Sequence, residues 1–234
     1  MSDNPIALYY WPTPNGWKIS IMLEELGVPY AVHMVNIGAG DQFKPDFLAI
    51  APNNRMPAII DPDGPDGREI SVFESGAILQ YLARKHGKFY GKDERARIAV
   101  DEWLMWQMGG FGPMLGQNHH FNKYAPVEDT YAKERYVNET HRLYGVLDTR
   151  LEGREFVVED YSIADMAIYG WATLWENQKM DIEEFPNVKR WLAAVGARPA
   201  VERGMVVGKD EREKLQLATN KDHQAILFGQ RARR

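Results

Sequence analysis

The order of strand-like and helix-like segments in the first 87 residues constrains the fold more than any other feature of the chain. Ile6–Tyr10 is short, apolar and aromatic, as buried strands are, and Leu23 and Leu26 follow Ile19 at helical spacing. The predicted elements are, in order, a strand at 6–10, a helix that Gly27 ends, a strand at 30–35, a short helix at 45–50, a hairpin at 58–73 and a helix from Ser75 to Gly87. The order βαβαββα is that of a thioredoxin-like α/β domain.

From about Asp93 onward the sequence predicts helices only. The longest of them spans roughly 129–151, and Ser162 with Asp165 forms a capping box at the start of another. The run 109–113, Gly-Gly-Phe-Gly-Pro, is expected to break or kink the helix in which it falls. The predicted division is a thioredoxin-like domain at 1–87, a linker at 88–94 and an all-helical domain at 95–234, with no element assigned within 205–234.

Composition excludes several classes of function. The formal net charge of −5 argues against a general nucleic-acid binder, which needs a basic face to displace counterions. No apolar run reaches the roughly 18 residues that a membrane span needs, and the N-terminus lacks the features of a signal peptide, so we expect a cytoplasmic protein with no membrane partner. The sequence has no cysteine, which excludes disulfides, thiolate metal sites and a catalytic thiol of the protein itself.

The turn before the first helix is the first candidate site. The N-terminus of a helix presents unpaired amides and a partial positive charge, and both lower the pKa of a thiol held there. Proteins of this element order usually carry a cysteine at this point, whereas this chain has Thr13 and Asn15, which donate hydrogen bonds but supply no thiol. The thiol must then come from a bound small molecule. The alternative is an ordinary Pro-Asn-Gly turn without activity.

Two further segments suit an extended peptide ligand. Met56-Pro57 at the start of a strand suggests a cis peptide bond, which leaves the Met56 backbone able to pair with such a peptide; a trans proline on an edge strand is the alternative. Glu74 and Ser75 join a strand to a helix N-terminus and could hold the ammonium and carboxylate of an α-amino acid, or Ser75 could act only as an N-cap. An extended tripeptide with a thiol and an α-amino acid end fits all three segments, and glutathione answers to that description.

At these segments the sequence resembles the glutathione transferase family and, within it, the bacterial Nu class, which also includes a yeast prion-forming relative. The resemblance covers nearly the whole chain. The segments that carry it are Pro12–Lys18 (PTPNGWK), Asn53–Pro57 (NNRMP), Phe73–Leu79 (FESGAIL), Gln107–Phe121 (QMGGFGPMLGQNHHF) and the capping box at Ser162–Asp165.

The resemblance implies a role for each matching residue. Thr13 contacts the glutathione sulfur with Asn15 beside it, Met56 before Pro57 pairs with the cysteinyl backbone, and Glu74 and Ser75 hold the γ-glutamyl end. Three more residues match positions near the bound tripeptide, and a fourth matches an arginine that reaches the neighbouring subunit's site and makes a homodimer functional: Gln42, Asn54, Arg55 and Arg135.

The resemblance also implies the chemistry. The class is associated with disulfide-bond reduction, some hydroperoxide reduction and weak conjugation, and some relatives cleave aryl ethers as glutathione lyases. A cysteine-free enzyme would bring two glutathione sulfurs together, one to attack a small-molecule disulfide and one to resolve the mixed disulfide. Glutathione is then a co-substrate, and neither a metal nor a nucleotide is needed. Because such folds also serve as binding modules, a non-catalytic glutathione-binding regulatory protein is the alternative from another class.

Other residues offer competing hypotheses. Tyr10, near the end of the first strand, could activate the thiol through its hydroxyl, or strand alternation could direct it into the core. His119, His120 and His141 could suggest a metal, but no spaced ligand motif accompanies them, so we predict no metal site. The glycine runs at 38–40 and 109–112 do not complete a dinucleotide or phosphate loop.

Overall fold

A computed structural model describes residues 4–215 and 220–231 and divides them into two compact units. The first unit comprises the described residues up to Ile78 together with those from Arg203 onward, and the second comprises Leu79–Glu202. The linker predicted at 88–94 separates the α/β part of the chain from the all-helical part. The two compact units do not test that boundary, so it stays a prediction.

A four-stranded mixed sheet forms the centre of the first unit. Its strands are β1 Ile6–Tyr10, β2 Tyr30–Met34, β3 Ala58–Asp61 and β4 Ile70–Phe73. Their spatial order is β2-β1-β3-β4, with β2 parallel to β1 and β3 antiparallel to both β1 and β4. Leu8, fully buried, is paired with Val32 on one side and Ile59 on the other. The predicted strands and hairpin are confirmed.

Helices account for most of the remaining chain. They are α1 Pro14–Leu26, α2 Pro45–Ile50, α3 Ser75–His86, α4 Glu94–Trp106, α5 Gly112–Lys123, α6 Thr130–Leu151, α7 Ile163–Ala172, α8 Pro186–Gly196, α9 Pro199–Val206, α10 Lys209–Leu215 and α11 Lys221–Phe228. The predicted class, a thioredoxin-like βαβαββα domain followed by helices only, is therefore confirmed. Within the described part of the chain, no helix is both long and apolar enough to cross a membrane.

The ends of α1 are set by its sequence. Thr13 lies in extended backbone before it, Pro14 occupies the first helical position, and Gly27 adopts a left-handed φ of 66° that closes the other end. The Gly27 amide donates to the carbonyl oxygens of Leu23 and Glu24, which satisfies acceptors that a helix end leaves open. The predicted stop at Gly27 is confirmed.

The glycine run at 109–113 does not break the helix. Residues Gln107–Phe111 form one π-helical turn between α4 and α5, and the backbone stays helical throughout. Pro113, which has no amide hydrogen to donate, follows this turn at the second position of α5. A side chain at Gly112 would place its Cβ only 2.6 Å from Nε2 of Gln107, so a larger residue there would displace the buried Gln107 side chain.

The start of α7 is closed by several hydrogen bonds. Ser162 and Asp165 form the predicted capping box, which is confirmed. Asp165 is fully buried and also accepts hydrogen bonds from the Val157 amide and from Nε1 of Trp191, both at 2.9 Å. The carboxylate therefore joins the α7 start to α8 and to the loop before α7.

Candidate functional site

The start of α1 carries the first candidate residues. Oγ1 of Thr13 accepts a hydrogen bond from the Gly16 amide at 3.3 Å, and Thr13 and Asn15 are both half-buried. The Thr13 hydroxyl lies 3.5 Å from the Trp11 carbonyl oxygen and 3.8 Å from Sδ of Met56. Two segments that were predicted separately, the turn before α1 and the Met-Pro pair, thus meet at the hydroxyl of Thr13.

Gly16 allows α1 to pack closely against the end of β1. A Cβ at this position would lie 2.2 Å from the Trp11 carbonyl oxygen and 2.9 Å from the Tyr10 ring, so no other residue fits without displacing backbone. Sequence reasoning treated Asn15-Gly16 as turn chemistry. The structure shows that the glycine brings the first turn of α1 against the end of β1, which fixes where the positive end of the helix lies.

The peptide bond between Met56 and Pro57 is cis, as predicted. Met56 is half-buried and packs against a cluster of Val35, Phe47 and Ala58. Its side chain is therefore anchored in the first unit while its sulfur contacts Thr13.

The turn between β4 and α3 carries the next pair. Glu74 is exposed and has a left-handed φ of 68°, which costs a residue with a side chain on the order of 1 kcal/mol or more. Nδ2 of Asn53 donates to Oε1 of Glu74 at 3.2 Å, so the loop that ends in Met56 also holds the Glu74 carboxylate. Ser75 is buried at the first position of α3.

Lys18 contacts one of these candidates, and the sequence had not indicated it. It is 1% exposed, and its Nζ donates to Oγ of Ser75 at 3.4 Å. Burial lowers the pKa of Lys18 to about 7, and the nearby Glu74 carboxylate acts in the opposite direction. The one available signal was a lysine placed among apolar residues on the inner face of α1.

The three remaining candidates of the first unit lie in two loops. Gln42 is buried and donates from Nε2 to the Ile37 carbonyl oxygen at 3.1 Å, while its Oε1 has no hydrogen-bond partner among the described residues. Asn54 has a left-handed φ of 48°, which asparagine tolerates. Arg55 is exposed and its Nη1 donates to both the carbonyl and the side-chain oxygen of Asn54.

The end of α11 lies beside these loops. Nη1 of Arg55 also donates to Oε1 of Gln230 at 3.0 Å. A cavity of about 630 Å³ separates the helix from the loops, and its lining includes Phe43, Asn54 and Ile226. The sequence had left 205–234 unassigned, and the described part of that segment forms the end of α9 and the helices α10 and α11.

Tyr10 is fully buried at the end of β1. Its hydroxyl donates to the carbonyl oxygen of Val207 at 3.2 Å, which ties β1 to the loop after α9. Of the two alternatives for Tyr10, thiol activation or a side chain directed into the core, this environment corresponds to the second.

The other candidates lie in the second unit. Arg135 is exposed on α6. The ring of His119 stacks on Tyr124 with centroids 5.2 Å apart, and Nε2 of His141 lies 2.8 Å from Oε2 of Glu184. Across residues 4–215 and 220–231, no three histidine, aspartate or glutamate side chains come together as a metal-binding group.

Comparisons with known proteins agree on one family. The glutathione S-transferase N-terminal domain matches residues 4–84, and the glutathione S-transferase C-terminal domain matches residues 112–199. The disulfide-bond oxidoreductase YfcG of Escherichia coli is 50% identical over 211 residues, covering 88% of this chain and 98% of the relative. The disulfide-bond oxidoreductase YghU of the same organism is 41% identical, covering 89% of this chain and 77% of the relative.

Solved structures give the same result. A glutathione transferase from Burkholderia graminis, solved with two glutathione molecules bound per subunit, has a TM-score of 0.83 and 49% identity, covering 88% of this chain and 89% of that one. A glutathione transferase from Pseudomonas putida, solved with one glutathione disulfide bound per subunit, has a TM-score of 0.83 and 47% identity, covering 86% and 90%. The chain belongs to the glutathione S-transferase family.

Proposed function

We propose that the protein is a glutathione-dependent disulfide-bond oxidoreductase that stabilises a glutathione thiolate without a cysteine of its own. The observation that carries this proposal is the meeting of Thr13 Oγ1 with Met56 at the start of α1, 3.8 Å apart, in a chain without cysteine. A hydroxyl donor, the positive end of a helix and a backbone able to pair with a peptide converge there.

Each end of glutathione then has a place. The thiolate receives hydrogen bonds from Thr13 and Asn15, and the cysteinyl backbone pairs with Met56 before Pro57. The γ-glutamyl ammonium is held by Glu74 and its carboxylate by Ser75. The rest of the tripeptide lies toward Gln42, Asn54 and Arg55, where the Oε1 of Gln42 offers an acceptor to a ligand N–H.

The reaction consumes two glutathiones. The first thiolate attacks one sulfur of the substrate disulfide, forms a mixed disulfide and expels the other sulfur as a thiolate. A second glutathione thiolate attacks the glutathione sulfur of the mixed disulfide, which releases the second substrate thiol and leaves glutathione disulfide. The relatives from B. graminis and P. putida were solved with two glutathiones and with one glutathione disulfide per subunit, which are the reductant and the oxidised product of this scheme.

The test combines binding with turnover. Calorimetry measures whether glutathione binds, and the glutathione disulfide formed from a small disulfide such as bis(2-hydroxyethyl) disulfide is followed with glutathione reductase and NADPH. We expect binding and a rate well above the uncatalysed exchange. Binding with turnover only of hydroperoxides or aryl ethers would favour peroxidase or lyase activity, and binding with no turnover of any of these would favour a regulatory module.

Tyr10 gives a prediction that separates two assignments of the thiol-activating residue. Because its hydroxyl is buried and donates to Val207, we expect Tyr10→Phe to keep disulfide turnover within about threefold and to lower the free energy of unfolding by about 1 kcal/mol. Steady-state kinetics and urea unfolding measure the two effects. A large loss of turnover with unchanged stability would instead assign the thiol activation to Tyr10.

We further propose that the protein is cytoplasmic, since the cytosolic pool keeps glutathione reduced. We also propose that it is a homodimer in which Arg135 acts on the partner's site. Subunit mixing tests this directly. If the site needs Thr13 of one subunit and Arg135 of the other, mixing Thr13→Ala with Arg135→Ala subunits creates one intact site per heterodimer and restores activity. If Arg135 acts within its own subunit, the mixture stays as inactive as its parents.

A further inference from the structure

Lys18 is unusual because its charged end lies inside the first unit. Lysine side chains normally keep the ammonium in water while the stem covers apolar surface, and they are almost never fully buried unless paired. Lys18 is 1% exposed, on a helix whose other buried residues include Ile19, Met22 and Leu23. An apolar residue would fill this volume without the cost of burying an ammonium, so we expect the ammonium to have a role besides packing.

The ammonium contacts a hydroxyl at the start of α3. Nζ of Lys18 donates to Oγ of Ser75 at 3.4 Å, across 57 residues of sequence. A hydroxyl oxygen that accepts from an ammonium directs its own proton away from it, toward an acceptor on the opposite side. Ser75 is also the first residue of α3, and the positive end of that helix favours an anion at the same place.

Glu74 supplies the opposite charge beside this pair. Its carboxylate is exposed, held by Asn53, and close enough to Lys18 for the two charges to interact. A ligand that brought only an ammonium to Glu74 would weaken that interaction. A ligand that brings both an ammonium and a carboxylate satisfies both residues.

We propose that Lys18 is a positioning residue for the α-carboxylate of the γ-glutamyl group, acting through Ser75, and that this carboxylate draws a proton onto Lys18 when glutathione binds. The inference rests on the proposed glutathione site and adds to it the residue that selects a zwitterionic γ-glutamyl end. Its physical basis is that a buried ammonium gains most from a carboxylate that arrives without water. In the absence of ligand, burial lowers the pKa of Lys18 to about 7, so part of the population is neutral and able to take up a proton.

Two thiol-blocked ligands isolate this carboxylate in the unmodified protein. S-methylglutathione has no thiol, so thiol ionisation does not contribute to the number of protons exchanged on binding. Its analogue with a 4-aminobutanoyl group in place of γ-glutamyl lacks only the α-carboxylate. Calorimetry in two buffers of different ionisation enthalpy, at about pH 7.5, counts protons taken up on binding. We expect about half a proton or more for S-methylglutathione and almost none for the analogue.

Variants identify the residue that takes up the proton. Lys18→Met should weaken S-methylglutathione binding about tenfold or more and abolish the proton uptake, while its affinity for the analogue changes little. Lys18→Arg, which stays charged, should bind without proton uptake and recover part of the affinity. Lys209→Met, an exposed lysine of the same unit, serves as the control and should match the wild type.

The outcomes separate this inference from the proposed function. Equal proton uptake for the two ligands, or a Lys18→Met variant that weakens both equally, would overturn the role of Lys18 while glutathione binding stands. Failure of the wild type to bind either ligand or glutathione would overturn the proposed function and this inference with it. If Lys18→Met does not fold, the two-ligand comparison in the wild type decides alone.

Discussion

We expect the Thr13→Ala protein to reduce small disulfides about a hundredfold more slowly than the wild type at saturating glutathione. Loss of one preorganised donor to a developing or bound anion typically has an effect of that order on kcat. Here the anion is the glutathione thiolate, and the chain has no cysteine to replace it. The pH profile of kcat/KM for the disulfide, measured at saturating glutathione, should shift to higher pH as well. The bound thiol loses a hydrogen bond that favours its ionised form.

The same substitution also removes a helix cap, so stability must be measured alongside activity. Oγ1 of Thr13 accepts from the Gly16 amide, and losing an N-cap costs about 1 kcal/mol. Thr13→Asp is the matched control because aspartate caps a helix well but offers no donor and repels a thiolate. We therefore expect Thr13→Asp to fold normally and to be inactive, and Thr13→Ser to retain most of the activity.

Kinetics of the three variants decide the role of this hydroxyl. If Thr13→Ala and Thr13→Asp both keep the wild-type kcat and pH profile, Thr13 acts only as a cap. Asn15 then becomes the residue to replace, since it lies in the first turn of the same helix.

Local patterns in the sequence predicted the elements well because their causes are local. Gly27 ends α1 through its own left-handed backbone, and Ser162 with Asp165 caps α7 over three residues. The cis bond at Met56-Pro57 could also be predicted, since cis bonds occur almost only before proline.

The features that the sequence did not predict depend on contacts between residues far apart in the chain. Lys18 reaches Ser75 and Asn53 reaches Glu74, and nothing near either residue in the sequence indicates its partner. The position of α11 beside Arg55 is of the same kind, since Gln230 lies 175 residues further along the chain. The π-helical turn was missed for another reason: the run from Gly109 to Pro113 is typical of a break or a kink, and nothing in it indicates that the helix continues through a wider turn.

Asp165 should be among the most sensitive positions for stability. Its Oδ1 accepts from the Val157 amide and from Trp191 Nε1, and its Oδ2 accepts from the Ser162 amide at 3.0 Å. Alanine would leave these buried donors without an acceptor, and each such loss costs about 1–3 kcal/mol. We expect Asp165→Ala to lower the free energy of unfolding by about 4 kcal/mol or more, a large part of the 5–15 kcal/mol typical of a folded protein.

Denaturant unfolding measures this loss, and Asp129→Ala is its matched control. Asp129 caps α6 by accepting from the Ala132 amide at 2.9 Å, but it is exposed, so water can replace it. Its loss should cost about 1 kcal/mol. Equal effects of the two substitutions would show that Asp165 acts only as a helix cap and that its bonds to Val157 and Trp191 contribute nothing further.

The pH dependence of the Asp165 effect provides a second test with a defined sign. Burial raises the pKa of Asp165 from 3.8 to about 6, although its hydrogen bonds act in the opposite direction. Between these two values the folded state binds the proton more tightly than the unfolded chain does, so this contribution to stability is full below about pH 4 and is lost as the pH rises through about 6. Asp165→Ala has no such group, and the stability difference between wild type and variant should be larger at about pH 4.5 than at about pH 7, by about 2 kcal/mol. A difference that grows with pH instead would mean that the hydrogen bonds to the ionised carboxylate outweigh its burial, and that the pKa of Asp165 is lowered in the folded protein.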